Sequence, residues 1–183
     1  MLAVIGKGEA AARRNLRTRL VLERLTGKPQ DDDYQSVDMA NGIAREPLAR
    51  DRYEQETGFL VRQVGFLQHL ELMAGASPDG LIYQDGNLTG VLECKCRNAA
   101  NHFEALTARI PSKAMPQLIH LLWLTGADFC DYVSYHPDFP ERSQFVAARL
   151  MRDGLDLNGY EAKVRAFLTE VDEQLKQVES YAR

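Results

Sequence analysis

The chain has 183 residues, 45% hydrophobic and 26% charged, which is the balance of an ordinary globular protein able to bury a core without disulfide or metal staples. This excludes a mostly disordered chain, a collagen-like chain and a disulfide miniprotein, and no stretch approaches the ~20 apolar residues of a membrane span. The net charge of −4 and pI near 5.6 exclude a histone-like basic coat but leave room for a local nucleic-acid site.

Residues 9–26 read as a helix: Ala10, Ala11 and Ala12 favour it, Leu16, Leu20 and Leu25 recur near helical spacing, and Gly27 stops it. The stretch is basic. From Lys7 to Lys28, seven cations (Lys7, Arg13, Arg14, Arg17, Arg19, Arg24, Lys28) stand against Glu9 and Glu23, so the segment is +5 in a chain of −4. Arg13, Arg14 and Arg17 are candidates for phosphate contacts, the alternative being a solvated amphipathic face. A loop with Pro29 and the acidic run Asp31, Asp32, Asp33 follows. Ser36 can cap a second helix over about 37–56, which Pro47 is expected to kink or restart and Gly58 to end. Phe59 to Phe66 is β-like. Leu81–Tyr83 and Val91–Cys96 flank Asp85-Gly86-Asn87, a hairpin signal. Residues 99–108 and 114–125 read as helices, 131–135 and 144–151 as strands, and 136–142 as a Pro-rich loop. Tyr160, Val164, Phe167, Leu168, Val171, Leu175 and Val178 form an apolar stripe on a final helix. This order predicts an α/β (α+β) layer around a mixed central sheet, in one domain: helices over 8–58, a core over 59–151, and a long C-terminal helix over 152–183.

Three cysteines, Cys94, Cys96 and Cys130, form no CxxC pair, which argues against a zinc ribbon and for a reducing, cytoplasmic setting. Met1–Ile5 is too short an apolar run for a signal peptide. His69, His102, His120 and His136 have no metal-ligand spacing and read as structural or exposed, with His120 one turn after Gln117.

The chemistry concentrates in Ser77-Pro78-Asp79-Gly80 and Val91-Leu92-Glu93-Cys94-Lys95. Strand side chains alternate, so Glu93 and Lys95 share one face and Leu92, Cys94 and Cys96 the other, apolar one. A three-residue loop of Asp85, Gly86 and Asn87 would set Asp79 opposite Glu93, whereas a two-residue loop would slip the register by one and separate them. Two carboxylates drawn together repel, and a divalent cation relieves the repulsion. Hard oxygen ligands suit Mg²⁺ or Mn²⁺, and the lysine can orient water or offset developing negative charge. An E-x-K triplet alone is common: Glu161-Ala162-Lys163 repeats it on what should be a solvated helix face.

Four motifs in order resemble the PD-(D/E)XK nuclease superfamily, and within it the phage lambda exonuclease and YqaJ-type viral recombinase family. Met39-Ala40-Asn41-Gly42-Ile43-Ala44-Arg45-Glu46, then Ala49-Arg50 and Tyr53-Glu54, resembles the family's G-x-x-x-E helix. Ser77-Pro78-Asp79-Gly80-Leu81 resembles its Asp motif, Glu93-Cys94-Lys95-Cys96 its E-x-K-C strand, and Met115-Pro116-Gln117 with Trp123 and Thr125 its following helix.

The resemblance implies a restriction-endonuclease-like core. It implies Asp79, Glu93, Glu46 and the Cys94 carbonyl as ligands of Mg²⁺, with Mn²⁺ able to substitute. Lys95 would be the catalytic lysine, Gln117 would position water or phosphate, Ser77 would belong to a phosphate pocket, and Met39 would be an apolar wedge between DNA strands. It implies exonuclease action on one strand of linear double-stranded DNA, 5′ to 3′, leaving 3′ single strands for recombination. It further implies a homotrimer, a single-strand annealing protein as partner, and a phage or prophage origin in a bacterial cytoplasm, with no membrane. The family's upstream Arg and Thr-Ala-Ser turn, which help bind a 5′-phosphate, have no counterpart, so that recognition is expected to be weakened or supplied by another segment or chain. A structure-specific endonuclease and a non-catalytic DNA-binding assembly protein are the alternatives.

Overall fold

The computed structural model describes residues 2–5, 10–30, 37–96 and 98–181, with residues 2 and 37–39 described as backbone alone. Ser36, the acidic run at 31–33 and the side chain of Met39 lie outside the described residues. In chain order the elements are α1 (Leu2–Ile5), α2 (Ala11–Thr26), α3 (Val37–Thr57), β1 (Val61–Arg62), β2 (Leu67–Gln68), β3 (Gly75–Ala76), β4 (Gly80–Gln84), β5 (Asn87–Cys94), α4 (Ala99–Ala108), α5 (Met115–Thr125), β6 (Phe129–Tyr135), β7 (Phe145–Met151) and α6 (Leu157–Tyr181). No described helix is long and apolar enough to cross a membrane.

The chain divides into two compact units, Met1–Tyr34 with Asp156–Arg183, and Gln35–Leu155. The segment 8–58, expected as one block of helices, is thus split: α2 belongs to the first unit and α3 to the second.

In the helical unit, Gly27 ends α2 in the left-handed conformation (φ 65°), its N–H returning to the Glu23 carbonyl. The apolar stripe of α6 buries Tyr160, Val164, Phe167 and Val171, and it fades toward Val178, which is 41% exposed. The basic face of α2 is an interhelical ion cluster. Arg13 Nη2 and Arg17 Nη1 hold Glu170 at 2.6 and 2.9 Å, Arg13 lies 4.9 Å over the Phe167 ring, and Arg24 pairs with Asp172. Arg13 is buried and also donates to the carbonyls of Ala3 and Val4, which ties α1 in. Its hydrogen bond holds the Glu170 carboxyl below the usual range.

The second unit is built on a five-stranded sheet of order β1-β4-β5-β6-β7, antiparallel except where β5 runs parallel to β6. A parallel neighbour requires a crossover, and α4 with α5 supplies it. Strand alternation then sorts two apolar layers. Leu92, Cys94, Phe129 and Val133 pack with Ala49 and Tyr53 of α3; Val91, Cys130, Tyr132 and Val146 pack with Ala105 of α4 and with Leu118, Leu121 and Leu122 of α5. Burying each of the three leucines contributes roughly 1.5–3 kcal/mol.

Three local expectations change. Pro47 neither breaks nor restarts α3, which is continuous through it; the carbonyl of Ile43 that it leaves unbonded lies on an exposed turn. The strand expected over 59–66 is divided at Gly65. Val61–Arg62 pairs with β4, and Leu67–Gln68 pairs with Gly75–Ala76 in a separate two-stranded sheet. The β4–β5 loop has two residues, not three: Asp85 (φ 49°) and Gly86 (φ 81°), both left-handed as a type I′ turn requires.

Candidate active site

A two-residue loop would, by itself, misplace Asp79. The ladder leaves the turn as Gln84↔Asn87 and Tyr83↔Leu88, then continues as Ile82↔Gly90, Leu81↔Val91 and Gly80↔Leu92. Thr89 is the extra residue of a β-bulge, and it restores the register that the short turn loses. Carried one step past Gly80↔Leu92, the ladder sets Asp79 across from Glu93. The Cys94 N–H clamps Asp79 Oδ2 at 2.6 Å.

Glu93 is the most buried charge of the group, at 2% exposure. Its Oε1 accepts both from Lys95 Nζ and from Gln117 Nε2, the latter at 2.7 Å. Gln117 reaches it from the first turns of α5, while Lys95 lies just past the end of β5 on the same face. Oε2 of Glu93 is buried with no hydrogen-bond partner. An orphaned carboxylate oxygen costs free energy unless a cation completes it. Burial pushes the Glu93 carboxyl up to about 7, with Lys95 opposing and the charges of Asp79 and Glu46 adding to the rise. Burial also raises Asp79, against its Cys94 bond, Lys95 and Arg50. Glu46, on α3, is raised by burial and by Asp79, with Arg50 and Lys95 opposing. The four sequence-predicted residues Glu46, Asp79, Glu93 and Lys95 therefore share one electrostatic neighbourhood.

Among the described residues no three His, Cys, Asp or Glu side chains stand as a ready-made cation cage. The fit to a divalent cation rests on the donor set, all hard oxygen, and on the unsatisfied Glu93 Oε2, which such an ion would complete. The same ion would lower all three carboxyl pKa values by neutralising their mutual repulsion.

The other candidates are placed as follows. Ser77 is exposed, two residues before Asp79. Gly42, one turn before Glu46, is buried against the Cys96 carbonyl, where an added Cβ would stand 3.8 Å away, so its role is close packing of α3 on β5. Arg13 and Arg17 are bonded to Glu170, while Arg14 is exposed. Glu161, from the second E-x-K triplet, pairs with Arg165 and Lys163 is exposed, a solvated helix face as expected. All four histidines make structural contacts. His120 bonds the Gly75 carbonyl at 3.1 Å, His69 stacks on Trp123 at 4.8 Å, His102 is bonded at both ring nitrogens, and His136 packs on Phe139.

Two features escaped the sequence reading. Arg50 stands one turn after Glu46 and acts on both Glu46 and Asp79; the Glu46-x-x-x-Arg50 spacing was the available signal. Tyr53, Asp131 and Arg149 form a buried network behind the site. Asp131 accepts from Tyr53 Oη at 2.5 Å and from Arg149 Nε and Nη2 at 2.8 and 2.7 Å, with the guanidinium 3.5 Å over the Phe129 ring. An Asp inside an apolar strand was its only mark.

Comparison with known proteins places this geometry. No curated protein matches the chain. Among solved structures, the alkaline exonuclease LHK-Exo from Laribacter hongkongensis is similar at 33% identity and TM-score 0.87, covering 99% of this chain and 90% of that one. The same protein in complex with dAMP gives a TM-score of 0.88 at 33% identity, covering 99% and 89%. A phage-related exonuclease from Haemophilus somnus 129PT has the same fold at TM-score 0.72, with 13% identity over 99% of this chain and 93% of that one. The family model of the YqaJ-like viral recombinase domain matches residues 2–128, and the chain belongs to that family.

Proposed function

We propose that the protein is a metal-dependent DNA exonuclease that hydrolyses one strand of a linear duplex from its end. The observation that carries this reading is the convergence of Asp79 and Glu93 through the Thr89 bulge, with the Glu93 Oε2 orphaned beside Lys95. Similarity to the alkaline exonucleases and membership of the YqaJ-like family support it.

Asp79, Glu93, Glu46 and the Cys94 carbonyl would hold Mg²⁺, or Mn²⁺ in its place. The bound ion supplies Lewis-acid polarisation of the phosphodiester and lowers the pKa of water at the site. Lys95 Nζ, beside Glu93 Oε1, orients the attacking water and offsets the negative charge that grows on the phosphoryl oxygens. Water adds to phosphorus, the bond to the departing sugar oxygen breaks, and the proton lost by water is replaced by one gained at that oxygen. Gln117 fixes Glu93 through Oε1 and keeps Oε2 turned to the ion. Arg50 balances the carboxylate excess on α3. Ser77 and Arg14, both exposed, are the candidates for DNA phosphate contacts, and Met39 for a wedge between strands.

The finer reading, from the resemblance to lambda-type exonucleases, is 5′-to-3′ action that leaves a 3′ single strand for recombination. It includes a homotrimer around the duplex and a single-strand annealing protein as partner.

The test is digestion of a linear duplex labelled at either end, with Mg²⁺, by the native protein and by Lys95→Ala, with closed circular DNA as control. Progressive nucleotide release from linear ends, lost in Lys95→Ala, is expected, and the label order gives the polarity. Cutting of circles would move the protein to the endonucleases. Binding of DNA with no cleavage would leave an assembly role.

A further inference from the structure

Lys95 lies one residue beyond the end of β5, where the sheet no longer dictates backbone position. Its N–H donates to the Val133 carbonyl at 2.7 Å, a bond any residue could make. Its carbonyl is different: it accepts from the side chain of Ser134 Oγ at 3.0 Å. Ser134 is fully buried on β6, on the face opposite Val133, and nothing in the site described so far uses it. Its hydroxyl is bonded in turn by His102 Nδ1 at 2.8 Å, and His102 Nε2 meets the Ser143 carbonyl at 2.8 Å. His102 is itself 2% exposed on α4.

Proton counting fixes the roles in this chain of bonds. A carbonyl only accepts, so the Ser143 contact requires the proton on Nε2, and a neutral ring then presents an unprotonated Nδ1 to Ser134. Burial holds His102 toward that neutral form. The hydroxyl of Ser134 carries one proton and faces two acceptors, Nδ1 and the Lys95 carbonyl. His102 thereby fixes the rotamer of Ser134, and Ser134 fixes the carbonyl of Lys95. An apolar residue at 134 would leave that carbonyl without its partner at the point where the strand ends.

We propose that Ser134 is a positioning residue for Lys95, acting through the Lys95 carbonyl, and that His102 holds Ser134 in place for that task. The inference rests on the nuclease reading for its kinetic consequence, but the placement of Lys95 can be read without turnover.

The experiment compares Ser134→Ala, His102→Asn and His102→Gln with the native protein. Asparagine keeps a polar group at the Nδ1 position that faces Ser134; glutamine keeps one at the Nε2 position that faces Ser143. Lysines are reductively methylated with ¹³C-formaldehyde, and the Lys95 methyl signal is assigned by its loss in Lys95→Arg. Ser134→Ala and His102→Gln should shift or broaden that signal, while His102→Asn keeps it. On a linear duplex with Mg²⁺, the first two should lose roughly tenfold in kcat with KM for DNA unchanged, and His102→Asn should retain most of the rate. A native-like Lys95 signal in Ser134→Ala, or equal behaviour of the Asn and Gln variants, overturns the proposal. If Ser134→Ala loses its cooperative melt, the His102 pair decides. A native protein that cleaves no DNA would refute the nuclease reading alone, since the methyl signal still reports on Lys95.

Discussion

Glu93→Gln should make the metal-free protein more stable at alkaline pH while abolishing cleavage. In the folded chain the Glu93 carboxyl sits at about 7, against an ordinary value of 4.5. A carboxyl raised by folding contributes stability that is complete below the unfolded value and is lost as pH climbs through the folded one. The 2.5-unit difference between those two values corresponds to roughly 3 kcal/mol at 1.36 kcal/mol per tenfold, all of it lost above about pH 8. Glutamine does not ionise. It keeps an acceptor for Lys95 and Gln117 at Oε1 and turns an N–H donor toward the field of Asp79 and Glu46. For a chain of this size 1 kcal/mol moves the midpoint by roughly 2–4 °C, so the variant should melt up to roughly 6–12 °C higher at pH 8 in EDTA. The gap should close toward pH 5. Addition of Mg²⁺ should raise the native midpoint and leave the variant nearly unmoved, since only a state that binds the ion gains from it. Melting curves followed by circular dichroism from pH 5 to 8 decide the matter. A gap that does not change with pH, or a native protein that melts higher than the variant at pH 8 without metal, would refute the reasoning.

Other perturbations have equally definite outcomes. Gly90→Ala puts a Cβ 2.4 Å from the Phe129 ring and should cost about 1–3 kcal/mol in urea unfolding. Tyr53→Phe removes a donor from the buried Asp131 and leaves Arg149 to hold it alone, a loss of about 1.5–3 kcal/mol by the same measurement. Glu170→Gln should flatten the acid limb of stability. The native carboxyl is held low by Arg13, so it stabilises above its unfolded value and loses that contribution as pH falls through the folded one; acid titration of the melting midpoint shows the difference.

Much of the fold was legible because hydrophobic periodicity is a local signal. The final helix, the two middle helices and the β4–β5 hairpin follow from it. The chemistry of Glu93 and Lys95 was legible because strand alternation is strict. The bulge was not. A Thr at 89 inside an apolar strand carries no mark that it is the extra residue, and the reading compensated with a three-residue loop that reached the same pairing for a different reason. The basic face of α2 offered phosphate binding or solvation. The structure supplies a third use for Arg13 and Arg17, pairing with Glu170, which lies 157 residues from Arg13 in the sequence. The Tyr53–Asp131–Arg149 network was invisible on the same ground: its three members come from α3, β6 and β7, and only the assembled sheet brings them together.

The parallel pairing of β5 with β6 orders the assembly of the site in time. Asp79 and Glu93 lie on neighbouring strands joined by a two-residue turn, and so meet over a short loop. Lys95 takes both of its backbone bonds from Val133 and Ser134, across a connection that includes all of α4 and α5. Closing that larger loop carries the greater entropic cost and is slower. A chain emerging from the ribosome therefore acquires its opposed carboxylates well before its lysine is anchored. Pulse-labelled hydrogen exchange during refolding should protect the amides of β4 and early β5 ahead of Lys95. A nascent chain cut short before residue 129 would pair its carboxylates without a fixed lysine, and the acid half of the site would stand complete while the hydrolytic half waited for the sixth strand.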